Sequence, residues 1–210
     1  MDNLQEFIKL ARAFFYLARS KHRRKNRLPD REHWEWCRLG QGHYGEAWAH
    51  SAYPDLVLKI SGRAQWGNDE FYFEKDYLYN MKVRLDAWPV FARHCRDNPH
   101  PKLPKIMHFE QPSEGMAWAV MPRYESLPDI DMDMAEYDRL DNERRMLREM
   151  LQGAPYAPEW MWPLRQMAGG LHFQVDLHEG NVMVDPKTGE LIITDPFSAT
   201  GPSIAASRSY

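Results

Sequence analysis

With 210 residues and an aromatic share of 13%, eight Trp included, the chain can bury a sizeable core, as one medium domain or two small lobes sharing a cleft. A formal net charge of -3 gives no general reason to expect nucleic-acid binding, and two cysteines, Cys37 and Cys95, are too few for a disulfide framework or a zinc site. No apolar run approaches the roughly 18 residues that span a bilayer and Met1-Asp2-Asn3 does not open a secretory signal, so a reducing, cytoplasmic setting without membrane contact is expected.

Leu4, Phe7, Ile8, Ala11, Phe14, Phe15 and Ala18 recur at helical spacing, which predicts an amphipathic helix at the start. It runs into a basic stretch, Lys21 to Arg27, and Pro29 ends it, so residues 1–33 are read as a separate element. The plain reading of the basic stretch is a solvated helix end; the sharper one is a contact for nucleic acid or an acidic partner.

Trp34 to Ile60 reads as three strands. Leu39 to Ala47 carries Gly40, Gly42 and Gly45 in the spacing G-x-G-x-x-G, and glycines so placed let backbone amides approach phosphate oxygens with no Cβ in the way. That motif alone is weak, because many loops contain it. It is followed by the apolar run Leu56-Val57-Leu58-Lys59-Ile60, where the Lys59 ammonium would be half buried and in need of an anion. Taken in isolation, Lys59 is more simply a strand lysine reaching solvent.

Phe71, Glu74, Leu78, Met81 and Leu85 then fall at alternating steps of three and four, which places a carboxylate within an apolar helix face. An unpaired buried carboxylate is costly, so Glu74 is expected to meet a cation, Lys59 being the candidate and Glu70 the rival carboxylate. Trp88 to Arg96 reads as a short helix, and His100 to Phe109 and Met116 to Pro122 as two strands around a Pro/Ser/Gly turn. Met134, Tyr137, Leu140, Arg144, Leu147 and Leu151 form one helical stripe, Gly153 to Pro158 break it, and Pro158 to Gly170 give another helix whose Trp and Met residues are read as core.

The most informative stretch is Val175-Asp176-Leu177-His178-Glu179-Gly180-Asn181-Val182-Met183-Val184-Asp185, followed by Leu191-Ile192-Ile193-Thr194-Asp195. Two short strands joined by a turn at Asp185 to Gly189 would bring Asn181 and Asp195 side by side. Their oxygens make a seat for Mg²⁺, and Asp176 is left as a candidate base. His178 is either a donor to phosphate or a brace for the loop.

These residues resemble the catalytic and metal-binding loops of the protein-kinase-like superfamily, in which Asp-x-x-x-x-Asn precedes a strand pair and a metal-binding Asp. The form Asp-Leu-His-x-Gly-Asn is closer to the small-molecule and atypical branch than to ordinary protein kinases. The resemblance covers Trp34 to Phe197 and implies an α+β, two-lobed protein-kinase-like fold. Residues 34–124 would be a small antiparallel-sheet N-lobe and residues 125–210 a truncated, mainly helical C-lobe. It also implies roles: Gly40, Gly42 and Gly45 over the phosphates of ATP, Lys59 on the phosphates with Glu74 orienting it, Met121 at the back of the adenine pocket, and Pro122-Arg123-Tyr124 as the hinge. Asp176 would be the base, and Asn181 and Asp195 the Mg²⁺ ligands. Gln174 stands where such loops carry His, Pro196-Phe197 where a DFG motif has Phe-Gly, and there is no APE segment. So truncated a lobe looks most like the compact serine/threonine kinases encoded by lytic bacteriophages, which would act on proteins in the host cytoplasm. The competing expectations are a kinase for a small hydroxylated molecule and a kinase-like binding module that transfers nothing. Ser198, Thr200, Ser203, Ser207 and Ser209 are candidate self-modification sites.

Overall fold

The computed structural model describes residues 3–22, 35–41, 45–61, 87–113, 116–127, 130–170 and 173–199. Among them the chain is α+β, with four α-helices and antiparallel strands. It divides into two units, Met1–Tyr72 with Lys105–Arg123, and Phe73–Pro104 with Tyr124–Tyr210.

The first unit begins with helix α1 (Asn3–His22), whose predicted stripe is the buried one: Phe7, Ala11 and Phe15 lose all exposure, and Ile8 and Phe14 nearly all. They pack on a five-stranded sheet of β1 (Trp36–Gln41), β2 (Gly45–His50), β3 (Tyr53–Ser61), β4 (His108–Ser113) and β5 (Met116–Pro122), in the order β1-β2-β3-β5-β4 with every neighbouring pair antiparallel. The sheet contributes Leu58, Ile60, Trp118 and Val120 to that core. Each large side chain so buried stabilises the fold by roughly 1.5–3 kcal/mol. Strand side chains alternate between faces, so Lys59, between Leu58 and Ile60, belongs to the face opposite α1, in one row with Ala47 and Ala119.

Arg12 of α1 pairs with Glu110 of β4, whose carboxylate also meets His108 Nε2 at 2.9 Å. Burial works to raise the Glu110 pKa, but the bonds to Arg12 and His108 outweigh it and hold the carboxyl below its ordinary value. β4 itself starts later than the sequence predicts. Residues 100–107 are turn and irregular chain, because Pro101 and Pro104 have no N–H to give a ladder. The strand instead continues to Ser113, taking in Pro112, which is tolerated because β4 lies at the sheet edge and its register slips between Glu110 and Ser113.

In the second unit, α2 (Ala87–Asp97) buries Trp88, Phe91, Ala92 and Cys95, with Pro89 in the first turn, where helices tolerate it. Helix α3 (Met134–Leu151) is started by the Asp133 carboxylate, which accepts the Glu136 N–H at 2.8 Å. Leu140, Arg144, Leu147 and Leu151 of the predicted stripe are buried, but Met134, in the first turn, is 72% exposed. A 3₁₀ turn (Glu159–Met161) leads into α4 (Trp162–Gly170) in place of one continuous helix from Pro158. Of the Trp and Met residues expected in the core, Met161 is buried, Trp160 and Met167 are half-buried, and Trp162 is more than half exposed. Trp162 lies two residues from the buried Leu164, which turns it to the far side of α4.

The rest of this unit is short strands: β6 (Glu125–Ser126), β8 (Val182–Val184) and β9 (Leu191–Ile193) in the order β6-β8-β9, and β7 (Phe173–Val175) paired with β10 (Phe197–Ala199). No helix of the described residues is long and apolar enough to cross a membrane.

Candidate active site

The β8–β9 hairpin turns on Asp185, whose side chain accepts the Lys187 N–H at 2.9 Å and whose carbonyl accepts the Gly189 N–H at 2.8 Å. Gly189 has φ +69°, a conformation that favours glycine. The turn fixes the register Val182 opposite Ile193 through Val184 opposite Leu191. At its open end Asn181 therefore faces Thr194 and Asp195. The Asn181 carbonyl accepts the Thr194 N–H at 3.0 Å, the Thr194 hydroxyl at 3.0 Å and the Asp195 N–H at 3.2 Å.

A second ribbon brings Asp176 to the same place. β7 and β10 pair with Val175 opposite Phe197, and the Asp176 N–H donates to the Pro196 carbonyl at 2.8 Å. The triangle closes where Asn181 Nδ2 donates to the Asp176 carbonyl at 2.6 Å. Asp176, Asn181 and Asp195 are thus linked through one another, each on a segment held by a different strand end. Committing Nδ2 to that carbonyl turns Asn181 Oδ1 the other way. An amide oxygen and a carboxylate are hard donors of the kind Mg²⁺ takes, with water and phosphate oxygens completing its shell, so the residues present fit that ion.

His178 Nδ1 accepts the Gly180 N–H at 3.0 Å, so the ring caps the 3₁₀ turn (Glu179–Asn181), whose Asn181 N–H donates to the His178 carbonyl at 3.0 Å. This is the bracing role, and in the neutral ring it leaves the proton on Nε2. From α3, Arg144 Nη1 donates to the Leu177 carbonyl at 3.3 Å.

Of the candidate residues in the first unit, Lys59 is half-buried in its row with Ala47 and Ala119, and Met121 is buried opposite Val57. Gly45 is required by close approach, since a Cβ there would lie 2.6 Å from the Ile60 carbonyl oxygen; at Gly40 a Cβ would meet nothing within 4 Å. Gly42, Glu74 and Glu70 lie outside the described residues, and with them the expected pairing of Lys59.

Three contributors, Thr194, Asp141 and Arg144, are not singled out as site residues by the sequence. Thr194 is 5% exposed and caps the Asn181 carbonyl, a role with no sequence signal beyond its place before Asp195. Asp141 and Arg144 did carry a signal: an aspartate and an arginine three apart among Leu140, Leu147 and Leu151 are charges on an apolar face, the argument that singled out Glu74.

No family model matches the chain, and no curated protein does. Among solved structures it is similar to one titled "PpkA-294 apo form", at 17% identity and a TM-score of 0.47, over 81% of this chain and 62% of that one. The chain spans less than two thirds of that structure's length, and a likeness this loose leaves its family unassigned.

Proposed function

We propose that the chain is an ATP- and Mg²⁺-dependent phosphotransferase, a serine/threonine protein kinase of the compact bacteriophage type acting in the host cytoplasm. The observation that carries this reading is the hydrogen-bonded linkage of Asp176, Asn181 and Asp195, in which Asn181 Nδ2 donates to the Asp176 carbonyl and the Asn181 carbonyl accepts the Asp195 N–H.

In the proposed reaction the acceptor hydroxyl oxygen bonds to the γ-phosphorus, the bond to the β–γ bridging oxygen breaks, ADP leaves and the hydroxyl proton passes to the Asp176 carboxylate. Asn181 and Asp195 would hold Mg²⁺, which when bound supplies charge neutralisation at the phosphate oxygens. Lys59, with Glu74 orienting it, and the amides of Gly40, Gly42 and Gly45 are assigned to the phosphates, and Met121 to the base. His178 keeps the turn bearing Asn181 closed.

The test is to incubate the purified chain with γ-labelled ATP and Mg²⁺, alone and with a cell extract. Label on proteins, lost in Asp195→Ala, is the expected result. Label confined to small molecules would replace it with a small-molecule kinase, and ATP binding without transfer with a silent binding module.

A further inference from the structure

Between β7 and the 3₁₀ turn the chain forms neither strand nor helix, so the carbonyls of Asp176, Leu177 and His178 have no ladder to join. Each nevertheless has its own donor: Asn181 Nδ2 for Asp176, Arg144 Nη1 for Leu177 and the Asn181 N–H for His178. Two of the three come from within the loop. The third crosses 33 residues of sequence from α3.

That donor is itself held. Arg144 is 9% exposed and gives Nε to Asp141 Oδ1 at 2.8 Å and Nη2 to the same oxygen at 2.5 Å. Asp141 is 7% exposed, and its Oδ2 accepts Arg145 at 2.7 Å. A buried ion pair gives little net stability over an apolar pair of the same volume. What two apolar side chains lack is an N–H, and a guanidinium gripped on two nitrogens still presents a third in a fixed direction.

We infer that the Asp141–Arg144 pair is a positioning device for the candidate catalytic loop. Asp141 fixes the plane of the guanidinium, Arg144 anchors the Leu177 carbonyl, and the anchored peptide sets where the neighbouring Asp176 carboxylate is presented. Arg144 touches no reacting atom, so it is a positioning residue, and its catalytic consequence rests on the phosphotransferase reading. The loop's order in the nucleotide-free chain does not.

The test variant is Asp141→Leu/Arg144→Met, which removes both buried charges together at similar volume. Amide hydrogen exchange in the nucleotide-free protein reads the loop directly: the Gly180 and Asn181 amides should exchange at least about tenfold faster, with the thermal midpoint nearly unchanged. In steady-state transfer, kcat should fall by about tenfold or more while KM for ATP stays within about twofold, as expected when a reacting group is misplaced and binding is not. Arg144→Lys, which keeps the charge and loses the fork, should lie between the two, and it carries the same comparison should the double variant not fold. Unchanged exchange in a folded variant overturns the inference. Faster exchange in a chain whose wild type transfers no phosphate supports the anchor and overturns the phosphotransferase reading instead.

Discussion

Asn181 commits three polar groups to holding the loop: its N–H to His178, its Nδ2 to Asp176, and its carbonyl to Thr194 and Asp195. Only Oδ1 is assigned to the cation. Replacing it therefore tests two functions that can be separated by choice of variant. Asn181→Ala loses the ligand and the Nδ2 donor, and transfer should fall at least about 100-fold at saturating Mg²⁺. Asn181→Asp keeps an oxygen but sets a second acceptor against the Asp176 carbonyl 2.6 Å away, so it should not recover activity at any Mg²⁺ concentration. Rate against Mg²⁺ concentration is the measurement; full recovery in Asn181→Asp would mean that the amide donor contributes nothing. The sequence shows such a residue when its neighbours are spaced for a hairpin, as Asn181 and Asp195 are. It hides Thr194, which acts on a main-chain carbonyl that any residue has, and it shows Arg144 only as a charge on an apolar face, not the carbonyl it holds.

Elements were legible in proportion to how regularly they bury one face. The periodicity of α1 and most of α3 matches the buried residues, since a single apolar stripe dictates each helix's orientation. The start of β4 was not legible, because alternation of side chains says nothing about the N–H groups that Pro101 and Pro104 lack. Phe15, fully buried between α1 and the sheet, is a test of the legible kind: Phe15→Ala should cost about 3–5 kcal/mol, read from the urea midpoint. Because Lys59 belongs to the opposite sheet face, kcat per folded molecule should not change. A pH-dependent tie joins the turn at Lys102 to α3 and to the β8–β9 hairpin. Lys102 Nζ pairs with Glu143 of α3 at 2.7 Å and with Glu190 of the hairpin, and its carbonyl accepts the Ile193 N–H at 3.0 Å. Burial pulls the Lys102 pKa down, but its bonds to the two carboxylates prevail and raise it, while the bond to Lys102 and its charge lower Glu190. The Glu190 contribution is present above the ordinary glutamate pKa and is lost as pH falls through the lowered value. The Lys102 contribution is present below the ordinary lysine pKa and is lost as pH rises through the raised one. Thermal melts between pH 3 and 6 should accordingly show a shallower acid decline in Lys102→Met than in the wild type, with a small difference at neutral pH, since Glu190 is half exposed. Parallel acid limbs would show that the tie carries no pH dependence.

At the scale of the whole molecule, the α+β class with an antiparallel sheet is what the resemblance implied and what the described residues form, whereas the proposed nucleotide chemistry draws on residues from both units: Lys59 and the glycines in one, Asp176, Asn181 and Asp195 in the other. Whatever their arrangement, mass action provides a test that needs no substrate. A ligand that binds only the folded chain stabilises it by about 2.7 kcal/mol at a hundredfold excess over its Kd, which for a chain of this size raises the melting midpoint by about 5–10 °C. Mg²⁺ with ATP should produce that shift in the wild type. Asp195→Ala should lose most of it together with transfer, because the missing carboxylate is the one proposed to hold the cation. Asp176→Asn should keep it while transfer falls about 10²–10⁴-fold, because a general base is needed for the chemical step and not for binding. The two variants thus separate holding the nucleotide from using it, and a silent module would give the shift with no transfer in any variant. A wild type whose midpoint ignores millimolar ATP with Mg²⁺ would remove the nucleotide from the account, and leave the linked loop of Asp176, Asn181 and Asp195 in need of a different ligand.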